Sequence, residues 1–323
     1  MGKKYIYIII FIQIVILVFL YFFFKKNLGI SISNINTRSI QKIPSKNLGH
    51  FYEPKANSIM NVRADWMSTL PKQTINADSL NERHDYSLKK ETGVFRIVTL
   101  GDSFTFGENI DTKDNYPEQL EDLLNLKCSK NKFEVINLGV PGYDLQYMNE
   151  RFIRRGSKYS PDLVIVLLGD FQLFRLNEEL DKRIESIKKS NPQIDDLALT
   201  INVTKQLVSD MGWNSMLNWQ KTEIKKLAAT INSKLVILKF PAICQDNKHS
   251  WFSLEFECWP FISYDGIVNE IARENNNIQI LNSLRRGKVS SSYDGHPTIE
   301  GNATIAESLF SYLKEKKIIQ CDK

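Results

Sequence analysis

Residues 95–103 read Phe95-Arg96-Ile97-Val98-Thr99-Leu100-Gly101-Asp102-Ser103: six residues rich in β-formers, a glycine, an acid and a hydroxyl. A run of that kind stopped by a turn residue predicts a buried strand with a polar cluster at its carboxyl end. The alternation continues downstream. Tyr116–Lys127 spaces Leu120, Leu123 and Leu124 for one helical face, and Phe133–Leu138 reads as a second strand ending before Gly139 and Pro141. Asp144–Lys158 places Leu145, Met148 and Phe152 on a second helix. Asp162–Leu168 is nearly all apolar, the type buried on both faces of a parallel sheet. Residues 171–232 predict two or three helices, followed by a fourth strand at Lys234–Phe240. A helix over 263–275 leads to a fifth strand, Ile278–Leu281. The closing helix follows Pro297, with Thr298 as its N-cap and Ile305, Leu309 and Leu313 on one face. Five strands separated by helices imply an α/β fold: a parallel sheet with right-handed crossovers and helices on both faces.

In such a sheet the ligand site lies beyond the carboxyl ends of the strands. The unusual residues fall there. Gly101-Asp102-Ser103 follows strand one, Gly139–Gly142 strand two, Gly169-Asp170 strand three, and Asp294-Gly295-His296 comes after strand five. Their types match acyl transfer. A serine hydroxyl is a weak nucleophile until a base takes its proton. His296, beside Asp294, can take the proton of Ser103 and return it to a leaving group. Gly142 offers a backbone N–H without an obstructing side chain, which suits a developing oxyanion. Each signal alone reads as an ordinary turn; the ordered set, each member after a strand, carries the chemistry.

The chain has 323 residues, a net charge of +5, 42% hydrophobic and 24% charged residues, a globular rather than disordered composition. Lys3, Lys4, Lys25 and Lys26 lie in residues 1–26, which hold no acid, so the remainder carries only +1. That leaves no surplus for a basic face, and nucleic acid is excluded as a partner. Tyr5–Phe24 is apolar apart from Gln13; such a run of about 20 residues spans about 30 Å, the thickness of a bilayer core. It is longer than the apolar part of a cleaved signal and ends without a small-residue cleavage site. Residues 1–26 are therefore expected to be a retained single-pass transmembrane helix. Lys3, Lys4 and the α-amino group favour a cytoplasmic N-terminus, with the body outside the cytoplasm. Ile6 occupies the Ser/Thr position of a myristoylation motif, so Gly2 is not an acylation site. Residues 27–92 read as a stalk and lead-in, and 93–323 as the chemistry-bearing domain.

Four cysteines without a C-x-x-C pair exclude a disulfide scaffold and a zinc ribbon. Cys128 and Cys321 have no evident partner. Cys244 and Cys258 flank Trp251, Phe252, Phe256, Trp259 and Phe261; a pinned loop at the site is one reading, free cysteines beside core aromatics the plainer one. His50, His84 and His249 lack metal-ligand spacing, so no metal is expected. Tyr264-Asp265-Gly266 repeats part of the 293–296 segment without a histidine and reads as a helix-start turn. The 171–232 segment exceeds what a crossover needs and is either a lid or packing helices.

GDSFTFG at 101–107 preceded by FRIVTL, NLGVPGY at 137–143 and YDGHPTIEG at 293–301 resemble the first, second and last blocks of the SGNH (GDSL-type) hydrolases. The resemblance runs from about Gly93 onward. HFYEPKANS at 50–58 and residues 75–93 resemble the segments preceding that block in bacterial members. It implies a three-layer α/β/α fold without metal or cofactor, with Ser103 as nucleophile, His296 as base and Asp294 as its orienting acid. The Ser103 and Gly142 N–H groups would hold the oxyanion, and the substrates would be ester-linked acyl groups, often acetyl groups on glycans. Two positions depart from the pattern. Where the third block carries an asparagine whose amide completes the oxyanion hole, this chain has Asp170. The nearest amide is Gln172, which would reach the site only if the loop curls back. The acid commonly lies three residues before the histidine; here Tyr293 stands there and Asp294 is two before, a spacing found in some acyltransferase relatives. Three functions follow as alternatives. The first is a membrane-anchored serine esterase acting on acyl esters of a glycan or lipid-linked substrate. The second is an O-acyltransferase to a polysaccharide hydroxyl, fed by a membrane acyl-donor partner. The third is a non-catalytic scaffold that binds glycan or protein.

Overall fold

The computed structural model describes residues 36–321 except 38, 63–66, 68, 170–171, 173–174, 194–195, 241–247, 252–253, 258–263, 283, 285–288 and 291–294. The expected anchor at 1–26, Asp170, Asp294, Cys244 and Cys258 lie outside the described residues. Among the described residues no helix is long and apolar enough to cross a membrane.

Strands β1 (Val94–Leu100), β2 (Lys132–Asn137), β3 (Leu163–Leu168), β4 (Lys234–Lys239) and β5 (Ile278–Leu281) form one parallel sheet in the order β5-β4-β3-β1-β2. All six residues of β3 are buried, as its unbroken apolar run requires. The chain starts in the interior at β1, turns to the β2 edge, then crosses over to β3. The loops after β1 and β3 therefore diverge at neighbouring strand ends and open a crevice there.

Among the described residues the helices are α1 (Ser103–Phe106), α2 (Tyr116–Lys127), α3 (Leu145–Arg154), α4 (Asn177–Ser190), α5 (Asp196–Met211), α6 (Trp213–Thr230), α7 (Tyr264–Glu274) and α8 (Ile299–Glu315). Successive strand residues point to opposite faces. On one face Val98, Val164 and Val166 pack with Met148 and Phe152 of α3, Ile224 of α6 and Val268 of α7. On the other, Ile97, Ile165 and Val236 meet Leu120 and Leu124 of α2 and Ile305 and Leu309 of α8. Thr298 caps α8 by accepting from the Gly301 N–H at 3.0 Å. The helix expected over 144–158 stops at Arg154, and Gly156–Tyr159 tightens into a 3₁₀ turn. A Cβ at Gly156 would lie 2.6 Å from the Phe152 ring and 2.7 Å from Leu138, so the turn presses its bare backbone onto the core.

Arg38–Lys323 is one compact unit that includes the lead-in. Ile40–Lys42 pairs with Tyr52–Pro54, and Ser58–Val62 with Gln73–Ile75, both antiparallel. Glu53 and Arg151, both fully buried, form an ion pair that Arg155 extends. One expectation is corrected: Cys128 and Cys321 are partners, joined in a disulfide across 193 residues. Side-by-side packing of α2 and α8 brings the residue ending α2 to the chain segment beyond α8. An antiparallel ribbon, Lys248–Trp251 with Leu254–Glu257, runs through the aromatic segment, where the sequence predicts no strand.

Candidate active site

Ser103 is the first residue of α1, directly after β1. Its turn is gripped from three sides. The buried Asp102 caps α1 by accepting from the Phe104 N–H at 3.1 Å and ion-pairs with Arg175 from the loop after β3. A Cβ at Gly101 would sit 2.0 Å from Thr105 Oγ1. A Cβ at Gly139 would come within 2.4 Å of the Phe106 nitrogen, so the loop after β2 rests on the backbone of α1. Asp102 thus fixes the serine turn and stands apart from the base.

His296 lies two residues before the cap of α8 and reaches back across the sheet edge. Its Nε2 is 3.0 Å from Ser103 Oγ, within hydrogen-bond distance. The Phe104 ring meets the imidazole edge-on at 5.0 Å between centroids. Ser103 is only 4% exposed. Glu108, which the sequence reading did not single out, places Oε2 3.6 Å from the same Nε2, while its N–H donates to the Ser103 carbonyl at 3.0 Å. A carboxylate at that distance favours the imidazolium form. Its only signal in the sequence is its position straight after GDSFTFG.

Gly142 has φ +85°, a left-handed conformation that favours glycine. The Pro141–Gly142 peptide, which carries the Gly142 N–H, is held by Tyr52, whose hydroxyl donates to the Pro141 carbonyl at 2.7 Å. On the far side Asn177 Nδ2 donates to the Gly142 carbonyl at 2.6 Å. Asp144 caps α3 at Tyr147 N–H, 2.9 Å, and accepts from Asn177 N–H at 2.8 Å, binding α3 to α4. Burial pushes its pKa up to about 6, against those hydrogen bonds and the nearby Arg175 charge, which pull it down.

Beyond β3, Gln172 lies against Gly169. Gln172 N–H donates to the Gly169 carbonyl at 3.0 Å, and Gly169 N–H donates to Gln172 Oε1 at 3.2 Å. Gln220 of α6 donates to the Gln172 carbonyl at 3.0 Å. Gln172 is fully buried, and its Nε2 has no acceptor among the described residues. The structure therefore brings Ser103 and His296 together, with the Gly142 loop, Gln172 and Arg175 on the strand ends around them; Asp294 and Asp170 lie outside the described residues. Chemically this is a hydroxyl paired with an imidazole, with amide donors at a largely buried strand edge.

No curated protein matches the chain by sequence. Among solved structures it is similar to a psychrotrophic esterase from Pseudoalteromonas sp., at 12% identity over 69% of this chain and 99% of that one, TM-score 0.45. An acetylxylan esterase from Geobacillus stearothermophilus, solved as a catalytic mutant, aligns at 14% identity over 68% and 93%, TM-score 0.43. A carbohydrate acetylesterase family member from Sinorhizobium meliloti aligns at 12% over 70% and 100%, TM-score 0.43. Residues 99–304, well over half of the chain and spanning both Ser103 and His296, match the GDSL-like lipase/acylhydrolase family. The chain belongs to that family, the SGNH ester hydrolases.

Proposed function

We propose that the chain hydrolyses small acyl esters, acetyl esters of a glycan foremost, with Ser103 as nucleophile and His296 as base, on the outer side of a membrane to which residues 1–26 anchor it. The observation that carries the chemistry is the 3.0 Å approach of His296 Nε2 to Ser103 Oγ. Ser103 Oγ attacks the ester carbonyl while His296 Nε2 takes its proton, and the carbonyl oxygen becomes an oxyanion facing the Ser103 and Gly142 N–H groups. The imidazolium, favoured by Glu108 on Nε2 and oriented by Asp294, then protonates the departing alkoxide. Water repeats the sequence on the acyl-serine and restores the hydroxyl. A nucleophile only 4% exposed suits a small acyl group. Transfer to a sugar hydroxyl would use the same acyl-serine and differ only in the acceptor; the Asp294–His296 spacing favours it as the second reading. The Cys128–Cys321 disulfide supports an oxidising compartment.

The test is hydrolysis of para-nitrophenyl acetate by the full chain purified from membranes in detergent. Ser103→Ala should lower kcat at least about 10³-fold, the scale of losing a catalytic serine. Equal rates would sink the catalytic reading. Intact mass of the same preparation checks the anchor, which fails if the mature chain starts beyond residue 26.

A further inference from the structure

The excursion between β3 and β4 does more than connect strands. A cavity of about 360 Å³ opens where α4 begins, walled by Gln146, Leu176, Glu179, Arg183, Met211 and Trp219. That volume lies within the ~300–1,000 Å³ of small-molecule sites. Three wall residues tie it to the candidate active site. Gln146 is in the first turn of α3, just after the Gly142 loop. Leu176 sits between Arg175, which holds Asp102, and Asn177, which holds the Gly142 carbonyl. Trp219 precedes Gln220, which holds the Gln172 carbonyl. The cavity therefore borders the segments that carry Arg175, Asn177 and Gln220.

Its lining names the ligand chemistry. Trp219, Met211 and Leu176 form an apolar wall. Against it stand the Gln146 amide and an ion pair, Arg183 Nε to Glu179 Oε1 at 3.0 Å, with Arg183 also on Asp210 at 2.6 Å. The charges lining the cavity balance, Glu178 and Glu179 against Lys182 and Arg183, so neither an anion nor a cation is selected. A long acyl chain would cover the Gln146 amide and the charged flank without offering them a hydrogen bond. A pyranose matches both walls: its C–H face covers an indole while its hydroxyls exchange hydrogen bonds with carboxylate, guanidinium and amide. We propose that this cavity is the subsite for a neutral sugar ring of an O-acylated oligosaccharide, seated on Trp219 while its ester reaches Ser103. The assignment rests on the ester-hydrolase reading and specifies its substrate.

Two measurements on the full chain in detergent separate the subsite from the chemistry. Kinetics compare O-acetylated xylohexaose with para-nitrophenyl acetate. Trp219→Ala should lower the ratio of their kcat/KM values about tenfold, mainly through KM of the oligosaccharide, with Trp219→Phe intermediate. Gln146→Ala, at a half-buried position in the first turn of α3, should lower the same ratio if Trp219→Ala misfolds. Calorimetry on the Ser103→Ala chain uses unmodified xylohexaose, cellohexaose and mannohexaose. At least one should bind, and adding Trp219→Ala should abolish it. An unchanged ratio in the folded variants, or no Trp219-dependent binding of any of the three sugars, overturns the subsite. Inactivity of the wild-type chain on both esters overturns the ester reading instead, and calorimetry still decides the subsite.

Discussion

The side chain of Gln172 is fixed at one end and open at the other: Oε1 takes the Gly169 N–H, while Nε2 is buried without an acceptor among the described residues. Leaving such a donor unpaired costs about 1–3 kcal/mol, a cost removed when an oxyanion is present to accept. Loss of one oxyanion donor typically lowers kcat about 10²–10³-fold. Gln172→Ala should therefore reduce kcat by that order with little change in KM, and steady-state kinetics on a small ester checks it. If it is silent while Asp170→Asn accelerates hydrolysis about tenfold, the donor position belongs to residue 170 and the carboxylate there is what slows the enzyme. Ser103 and His296 were legible because each follows a strand end or turn that the sequence announces. Arg175 and Glu108 were not. Arg175 acts on Asp102, 73 residues earlier, and an isolated charge carries no sign of a partner that only the sheet brings near.

At the scale of elements, the short strand Tyr52–Pro54 belongs to the frame of the site. Its tyrosine hydroxyl holds the Pro141–Gly142 peptide, and a Cβ at Gly142 would lie 2.7 Å from that hydroxyl. The Tyr52 ring is braced edge-on by Tyr143 and Tyr147, at 5.4 and 5.8 Å. Tyr52→Phe keeps the rings and removes one hydrogen bond of about 1 kcal/mol, so kcat should fall roughly three- to tenfold while KM changes less. A stability loss by urea unfolding with kcat unchanged would show that the bond merely secures the lead-in. The sheet and its helices were readable because their periodicity is long and consistent: Tyr116–Lys127 and Ile278–Leu281 end where the sequence predicts. The lead-in strands and the Lys248–Glu257 ribbon were not. Three to five residues are too few to establish a period, and Tyr52–Pro54 hides a charge, Glu53, whose partner Arg151 lies on a distant helix. For the same reason Cys128 and Cys321 gave no hint of each other; their pairing follows from how α2 and α8 pack.

Across the whole molecule, the lead-in is welded to the sheet through buried carboxyls. Glu53 meets Arg151 on α3 and Arg155, the residue that ends it. Further along, Glu82 accepts from the Asn137 N–H at the end of β2, the strand that feeds the Gly142 loop. Glu118 and Glu121 of α2 face it, with Tyr86 donating to Glu121 at 2.8 Å and Arg83 engaged on Glu118. Burial raises the Glu82 pKa well above the usual carboxylate range, and the Glu118 charge raises it further, outweighing the Asn137 N–H, which lowers it. The sign of the linkage follows. The folded chain holds this proton more tightly than the unfolded chain, so the contribution is fully present below the unfolded carboxylate value of about 4.3 and is lost as pH rises through the folded value. Glu82→Gln keeps an acceptor for the Asn137 N–H and a donor for Glu118, but has no proton to lose. Its unfolding free energy, from urea titrations at pH 5 and pH 8, should fall less between the two pH values than that of the wild-type chain. Parallel losses in the two proteins would mean that Glu82 does not hold its proton here, and that the lead-in joins the sheet through an ionised carboxylate instead.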